Sequence, residues 1–343
     1  MNKLKATSFD IAYRAGVSQS TVSRALRNSP QVNEETRKRI QAIAKELNYK
    51  VDKNASNLRT RHSGTIALLL FEELDDTESH INPFYLSMLG SITRTCSKEG
   101  YDLLVSFQQF SDDWSADYAD TNKADGLILL GYGDYLDYEG KLNELVEQGT
   151  KFVRWGAVVE GEPWLSIGCD NKNGGYLITR HLLSLGRRTI AFIGGADNHS
   201  PELYERYKGY CKAIEEAGYY VDLGLQFDAV TTEIDGAKAL ERLLASEKKF
   251  DAIVCASDLI AIGVIGALQE KGFQVPEDIA VVGFDDLTVA RYSKPALTTV
   301  QQNTNLAGQM LVYNLLKQID EAEVETRHIP AKLIVRESCG SKL

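Results

Sequence analysis

TSFDIAYRAGVSQSTVSRALR, residues 7–27, decides how this chain begins. It reads as two short helices joined by a tight turn at Ala15-Gly16-Val17. Glycine suits that turn because it adopts positive φ without steric cost. Ser18 is placed to cap the following helix through a backbone N–H. In that helix Val22, Ala25 and Leu26 recur at helical spacing and face inward, which leaves Gln19, Ser20, Ser23, Arg24 and Arg27 outside. The pattern predicts a helix-turn-helix whose second helix carries side chains suited to a major groove. A plain helical hairpin is the alternative, and the distribution of charge argues against it.

Residues 1–62 hold thirteen Lys+Arg against five Asp+Glu, a net of +8, whereas the whole chain is −10. The remainder therefore carries −18. A basic head on an acidic body marks a nucleic-acid module joined to something else. The acidic body repels phosphate and confines DNA contact to the head.

At 343 residues the chain suits two or three domains. No apolar run reaches membrane-spanning length, and MNKLKATSFD lacks the hydrophobic segment of a signal peptide. The expectation is a soluble, cytoplasmic protein with no membrane partner. Cys96, Cys169, Cys211, Cys255 and Cys339 are scattered and lie in no metal-binding spacing, so they read as reduced, mostly buried thiols. His62, His80, His181, His199 and His328 show no ligand spacing either. Neither a metal nor a cofactor is expected.

A third helix fits Asn33 to Leu47, with Asn33 as cap and Ile40, Ile43, Ala44 and Leu47 on one face. The polar stretch VDKNASNLRTRHSG follows, with a short helical possibility at Lys53 to Leu58. It reads as a linker that folds when it has something to bind. From Thr65 the pattern becomes alternating strands and helices. Strand runs fall at 65–71, 102–107, 126–130, 151–155, 189–195, 252–256 and 279–284. Amphipathic stretches at 84–99, 173–185, 203–218, 233–247, 257–271 and 304–319 lie between them, and 111–122 is short, acidic and helix-like. Near-continuous apolar strands separated by helices predict parallel sheets covered on both faces. There are enough strands for two sheets. Ligands bind such sheets beyond the carboxyl ends of the strands.

The segment DIAYRAGVSQSTVSRALRNSPQVNEETRKRIQAIAKELNY resembles the head of the lactose/galactose-repressor (LacI) family of bacterial regulators. The resemblance runs on through Asn82-Pro83-Phe84-Tyr85, Asp170-Asn171 with Gly174-Gly175, Ile193-Gly194-Gly195, Arg206 with Gly209 and Ser257-Asp258 through Gly263. It ends in Val275-Pro276-Glu277-Asp278, Gly283-Phe284-Asp285-Asp286 and Pro295 to Val300. It implies a small all-α helix-turn-helix head plus an α/β core of two doubly wound parallel-sheet subdomains, like the periplasmic binding proteins. The expected domains are a head at 1–50, a hinge at 51–63 and a core at 64–343. Within the core the first subdomain is expected at about 64–165 and 287–300, the second at about 166–286 and 301–343.

The resemblance further implies a homodimer on a pseudo-palindromic operator and a small effector, expected to be a sugar, between the subdomains. It also implies a hinge helix that inserts Leu58 into the minor groove; an apolar wedge there unstacks a base step and bends the duplex. The chain departs from the family pattern at Ser8-Phe9, at Val51-Asp52 and at Ser56-Asn57. No heptad extension suggests a tetramerisation segment.

The expected DNA-facing set is Thr7, Ser18, Gln19, Ser20, Thr21, Ser23, Arg24, Asn28, Asn33, Tyr49, Ala55, Asn57 and Leu58. Gln19 and Ser20 open the recognition helix and suit base edges. Thr21, Ser23 and Asn33 suit phosphates, and Arg24 suits either guanine or phosphate. The expected effector-binding set is Phe84, Tyr85, Trp155, Asp170, Arg206, Ser257, Asp258 and Asp285. Asp285 follows a strand end, where a carboxylate accepts hydroxyls, and the Arg206 fork clamps a hydroxyl pair or a carboxylate. Against these stand plain readings: Ser257 and Asp258 as helix caps, Asp170 as a polar strand end, Trp155 and Trp164 as core.

The reading is a ligand-responsive regulator, not an enzyme. A dinucleotide enzyme needs G-x-G-x-x-G after the first strand, and TIALLLFEELDD has no glycine. A non-regulatory sugar-binding protein has no use for a basic head. If Leu58 is the wedge, Leu58→Ala lowers specific operator affinity in a binding titration while effector binding persists; unchanged operator affinity removes the wedge.

Overall fold

The computed structural model describes residues 6–49, 62–74, 79–159, 161–324 and 326–341. Ala55, Asn57, Leu58 and the expected hinge helix lie outside the described residues. The chain forms two compact units, Met1–Ser63 and Gly64–Leu343.

The first unit holds three helices, α1 (Ser8–Ala15), α2 (Gln19–Leu26) and α3 (Glu34–Glu46). Each starts at a side-chain cap. Thr7 and Asp10 form a reciprocal capping box, Ser18 accepts from Thr21 N–H, and Asn33 accepts from Thr36 N–H. Gly16 closes α1 at φ 63°, the left-handed conformation the turn requires. Ile11, Val22, Ala25 and Ile40 are fully buried at the centre, so the inward positions match the helical spacing.

The second unit contains two parallel sheets. The first has the strand order β13-β7-β6-β5-β1-β4. Its members are β1 (Thr65–Leu70), β4 (Asp102–Phe107), β5 (Gly126–Leu130), β6 (Phe152–Trp155), β7 (Leu165–Cys169) and β13 (Arg327–Ile329). The second has the order β11-β10-β8-β9. It comprises β8 (Ile190–Ile193), β9 (Gln226–Phe227), β10 (Ala252–Cys255) and β11 (Ala280–Val282). The interior strands β5, β6, β8 and β10 are buried at every position, while the edge strand β4 is open along its length. That difference is why the interior runs are apolar throughout apart from Arg154 in β6. β2 (Glu73–Leu74) and β3 (Ser79–His80) form a small antiparallel pair, as do β12 (Thr299–Gln301) and β14 (Lys332–Ile334).

Helices α4 (Pro83–Lys98) and α5 (Tyr135–Glu147) serve the first sheet. Helices α6 (Asn171–Ser184), α7 (Pro201–Glu216), α8 (Glu233–Ala245), α9 (Asp258–Glu270) and the short α10 (Thr288–Tyr292) serve the second. The acidic stretch expected at 111–122 becomes a π-helix over Ser115–Asp120.

The subdomain division expected from sequence needs correction. β7 pairs in register with β6, so the first half runs on to residue 169 instead of ending near 165. Residues 287–300 belong to the second half: Gly283 N–H donates to Thr298 O, and Asp258 accepts from Leu287 N–H. The chain then returns. Helix α11 (Thr304–Ile319) packs on α4 and on β5 and β6, and β13 pairs with β7, so 304–329 joins the first sheet and not the second. Three chain segments therefore cross between the halves, near 170, 302 and 330.

Helices α6 and α7 cross where Gly175 and Gly209 leave no side chain between backbones. A Cβ at Gly175 would collide with the Arg206 carbonyl, and one at Gly209 with the Lys172 carbonyl. Gly209→Ala is expected to cost about 1–3 kcal/mol through backbone displacement. Calorimetry should show the core's melting temperature falling by several degrees, and an unchanged transition would show that the crossing yields freely.

Candidate functional site

The outer face of α2 is polar and accessible. Ser20 and Arg24 are exposed and Gln19, Thr21 and Ser23 half-buried. Gln19 Nε2 donates to Ser8 Oγ at 3.3 Å, which fixes its stem beside α1. Ser18 Oγ lies 2.8 Å from both Ser20 Oγ and Thr21 Oγ1, and Arg27 Nη2 donates to Ser23 Oγ at 3.0 Å. Asn28 adopts φ 57° and its Oδ1 accepts from Gln41 at 2.9 Å. Tyr49 packs against the helical core of the head. Thr7, Ser18 and Asn33 are the caps of the three helices. Their helix N-termini carry backbone N–H groups and a positive dipole end, the arrangement that receives phosphate. Two aromatic residues on α1 stand out at the surface: Phe9, noted in the sequence as a departure from the family pattern, is 71% exposed, and Tyr13, not singled out there, is 91% exposed.

The pocket lies in the second unit. From the first half it is lined by Phe71, Asn82, Phe84, Tyr85, Tyr132 and Trp155. From the second half come Ser200, Glu202, Arg206, Thr231 and Asp285, and Gln302 enters from a crossing segment. Five of the eight expected residues, Phe84, Tyr85, Trp155, Arg206 and Asp285, are brought together here. Phe84 stands 5.5 Å from Tyr85 and 5.9 Å from Trp155 between ring centroids. The alternation of β6 puts Trp155 on the pocket side and Arg154 on the other, where Trp164 also packs.

The remaining three expected residues are committed elsewhere. Asp170 caps α6 by accepting from Asn173 N–H. Ser257 caps α9 by accepting from Ile260 N–H. Asp258 is fully buried and accepts from Leu287 N–H at 2.8 Å and Thr299 Oγ1 at 2.5 Å. It pins the segments that carry Asp285. Of the plain readings, Ser257 is the cap it was read as, while Asp170 is a helix cap and Asp258 is a buried clamp and not a cap.

Asp285 sits at φ 119°, a conformation a non-glycine residue adopts at a cost of about 1–3 kcal/mol. Its N–H donates to Val300 O at 2.8 Å, and its Oδ1 accepts from Gln302 Nε2 at 2.6 Å. Arg206 Nη1 lies 3.5 Å from the same oxygen and donates to Ala256 O at 2.5 Å, while Nε donates to Asn171 Oδ1 at 2.9 Å. The guanidinium is stacked 3.8 Å from the centre of the Phe284 ring. Burial pushes the Asp285 carboxyl up to about 6 against the opposing pull of Arg206 and Gln302. Burial and the nearby Asp285 charge also push the Asp258 carboxyl well above the usual carboxylate range. Tyr85 is also raised, first by burial and then by Glu202 and Asp285, so it stays a hydroxyl donor.

Glu202, Tyr132, Asn82 and Gln302 were missed as pocket residues. Tyr132 follows the end of β5, where the strand-end rule applies. Glu202 stands in the first turn of α7 and reads from sequence as a partner of the helix dipole. Gln302 follows a three-residue strand too short to leave a periodic signal. The described lining residues supply hydrogen-bond acceptors, donors and aromatic rings to one space. Among the described residues no His, Cys, Asp and Glu group could hold a metal, and no helix is long and apolar enough to cross a membrane.

Residues 9–52 match the family described as bacterial regulatory proteins, lacI family, and residues 179–339 match the periplasmic binding protein-like domain. The HTH-type transcriptional regulator RegA of Clostridium saccharobutylicum is 32% identical over 335 residues, covering 96% of this chain and 98% of that protein. The HTH-type transcriptional repressor PurR of Serratia proteamaculans (strain 568) is 32% identical over 340 residues, covering 97% and 96%. A solved structure, the complex of the transcriptional regulator CelR with cellobiose, aligns with TM-score 0.71 at 30% identity over 97% of this chain and 99% of its own. With its three-helix head, its two parallel sheets and relatives matched from end to end, the chain belongs to the lacI family of DNA-binding transcriptional regulators.

Proposed function

We propose that this chain is a cytoplasmic, homodimeric repressor of carbohydrate-utilisation genes, binding a pseudo-palindromic operator through α2 and a sugar in the pocket around Asp285. It acts by binding and performs no catalysis. The pocket carries this reading: it sets hydroxyl acceptors (Asp285, Glu202), donors (Arg206, Asn82, Gln302) and the aromatic rings of Phe84, Tyr85, Tyr132 and Trp155 around one space. Alternating hydroxyls and apolar ring faces are the chemistry of a saccharide. The cellobiose bound by CelR, which is similar along its whole length, supports the same class. The similarity to PurR makes purines the comparison class.

In the head, Gln19, Ser20 and Arg24 read base edges, while Thr7, Ser18, Thr21, Ser23, Asn28, Asn33 and Tyr49 position the helices on the backbone. Arg24 is exposed and makes no hydrogen bond or ion pair among the described residues, which leaves its fork open to a guanine or phosphate. Ala55, Asn57 and Leu58 complete the DNA-facing set in the hinge.

A thermal-shift screen of the full chain against mono- and disaccharides, with purine bases alongside, tests the ligand class, because a specific ligand raises the melting temperature by mass action. A shift by a sugar is expected, and shifts by purines alone would overturn the carbohydrate reading. Asp285→Ala should abolish both that shift and the response of operator binding to the sugar. The sign of the pH effect follows from the raised carboxyl. Asp285 loses its charge as pH falls through about 6, so sugar affinity should drop by about tenfold per pH unit below that value. Its contribution to folding runs the other way: it is present at low pH and lost as pH rises through about 6. Calorimetric titrations at pH 7.5 and pH 5 read the difference, and equal affinities would remove Asp285 as an acceptor.

A further inference from the structure

Glu202 projects from the first turn of α7 in the second half, yet both of its oxygens are held from the first half. Oε1 accepts the Ala157 N–H at 2.8 Å, on the loop after β6, and Oε2 accepts the Tyr132 hydroxyl, after β5. The carboxylate is thus fastened across the cleft while it still lines the pocket. Each carboxylate oxygen has two acceptor positions, so one on each remains for a ligand hydroxyl.

Its charge is only partly offset. Behind it stands Arg154, which is fully buried, with Nε and Nη1 lacking a hydrogen-bond partner, and whose guanidinium feels the charge of Glu202 as well as that of Glu162. Arg154 Nη2 donates to Glu162 Oε2 at 3.2 Å, to Tyr135 Oη at 3.2 Å and to Ala157 O at 2.8 Å. Arg154 is thus one cation shared between two carboxylates, Glu162 and Glu202, which leaves negative charge in excess. Glycine at 156 permits this packing: a Cβ there would collide with Arg154 Nη1 and stand 2.9 Å from Glu202 Oε1. Inside the pocket two carboxylates, Glu202 and Asp285, face one guanidinium, Arg206, whose Nε and Nη1 are committed to Asn171 and Ala256.

We infer that Glu202 is a specificity-determining residue that restricts the pocket to neutral, polyhydroxylated ligands and excludes their phosphorylated or carboxylated counterparts. The inference rests on the carbohydrate reading of this pocket and deepens it. A free carboxylate could swing away from an incoming anion. This one cannot without releasing both Tyr132 and the Ala157 amide, so the negative wall stays in place. For a neutral sugar the same wall is an advantage, since hydroxyl donors to a carboxylate make the stronger, charge-assisted hydrogen bonds.

The test is calorimetric titration of the full chain at pH 7.5 with matched pairs that keep the pyranose ring: glucose and glucose 6-phosphate, glucose and glucuronate, cellobiose and cellobiose 6′-phosphate. The wild type should bind a neutral member at least about thirtyfold more tightly than its anionic partner, which is about 2 kcal/mol of discrimination. Glu202→Gln, which keeps shape and removes charge, should weaken the neutral ligand, strengthen the anion and reduce the ratio below about fivefold. Equal or preferred binding of the anion by the wild type overturns this inference and leaves the carbohydrate reading standing. An undiminished ratio in Glu202→Gln overturns it too. Binding of no member of any pair overturns the carbohydrate reading and this inference with it. Should Glu202→Gln fail to fold, Tyr132→Phe removes one donor and leaves the charge. It should weaken the neutral ligand while keeping the discrimination, and loss of discrimination in that variant would count against the charge as its origin.

Discussion

The second half of the core is organised around one buried cation. Arg206 reaches from α7 to Asn171 at the start of α6, to the Ala256 carbonyl beyond β10 and to Asp285 beyond β11, with Phe284 against its face. Taking a guanidinium out of water is expensive, and here Nε, Nη1 and one face of the group each have a partner to offset that cost. Those partners are the ends of three different elements, so the cation fixes their relative positions. The glycines at 175 and 209 follow from the same demand: α6 and α7 must approach closely for Arg206 to reach Asn171 while its own carbonyl lies against Gly175.

Behind this cation is a ladder of carboxylates. Asp285 is held by Gln302 and Arg206, Asp258 by Leu287 N–H and Thr299, and Asp286 by Arg336 Nη2 at 2.5 Å. The three acids stand close enough for their charges to oppose one another, and burial raises two of them. An unusual backbone at Asp285 persists because β12 runs beside it and accepts its N–H. The ligand wall is thereby built before any ligand arrives, and little ordering cost remains to be met on binding.

Much of this was legible in the sequence, for identifiable reasons. Positions 65–70, 126–130, 190–193 and 252–255 are strands buried on both faces, and continuous apolar runs betray such strands. The caps Ser18 and Asn33 were legible because capping is a local matter of one side chain and one N–H. The crossing points were not. LSIGC at 165–169 contains Ser166 and Gly168, which break the apolar run. RHI at 327–329 has one buried residue at a sheet edge. Neither has a local signature, since only pairing with a neighbouring strand makes it a strand. Asp258 and Asp285 look alike in sequence, each an acid after a strand. What separates a structural clamp from a pocket wall is which non-local donor reaches the carboxylate: the Leu287 amide in one case, a Gln302 side chain from the crossing segment in the other. Glu202 was illegible for a related reason, because its partners lie 45 and 70 positions away.

A ligand can shift an equilibrium between two arrangements only if it binds them differently. A pocket confined to one half would bind equally well at any angle between the halves and could control nothing. In this chain the aromatic wall of Phe84, Tyr85, Tyr132 and Trp155 comes from the first half and the polar wall of Glu202, Arg206 and Asp285 from the second. A saccharide stacked on one wall and hydrogen-bonded to the other measures the distance between them. Glu202 makes that measurement stricter, because the groups that orient its carboxylate belong to the half it does not come from. Any change in angle disturbs Glu202 and the stacking surface together, so ligand affinity depends steeply on the arrangement of the halves. By linkage the arrangement then depends equally steeply on the ligand. That reciprocity is what a DNA-binding head joined to this core needs in order to respond to a small molecule.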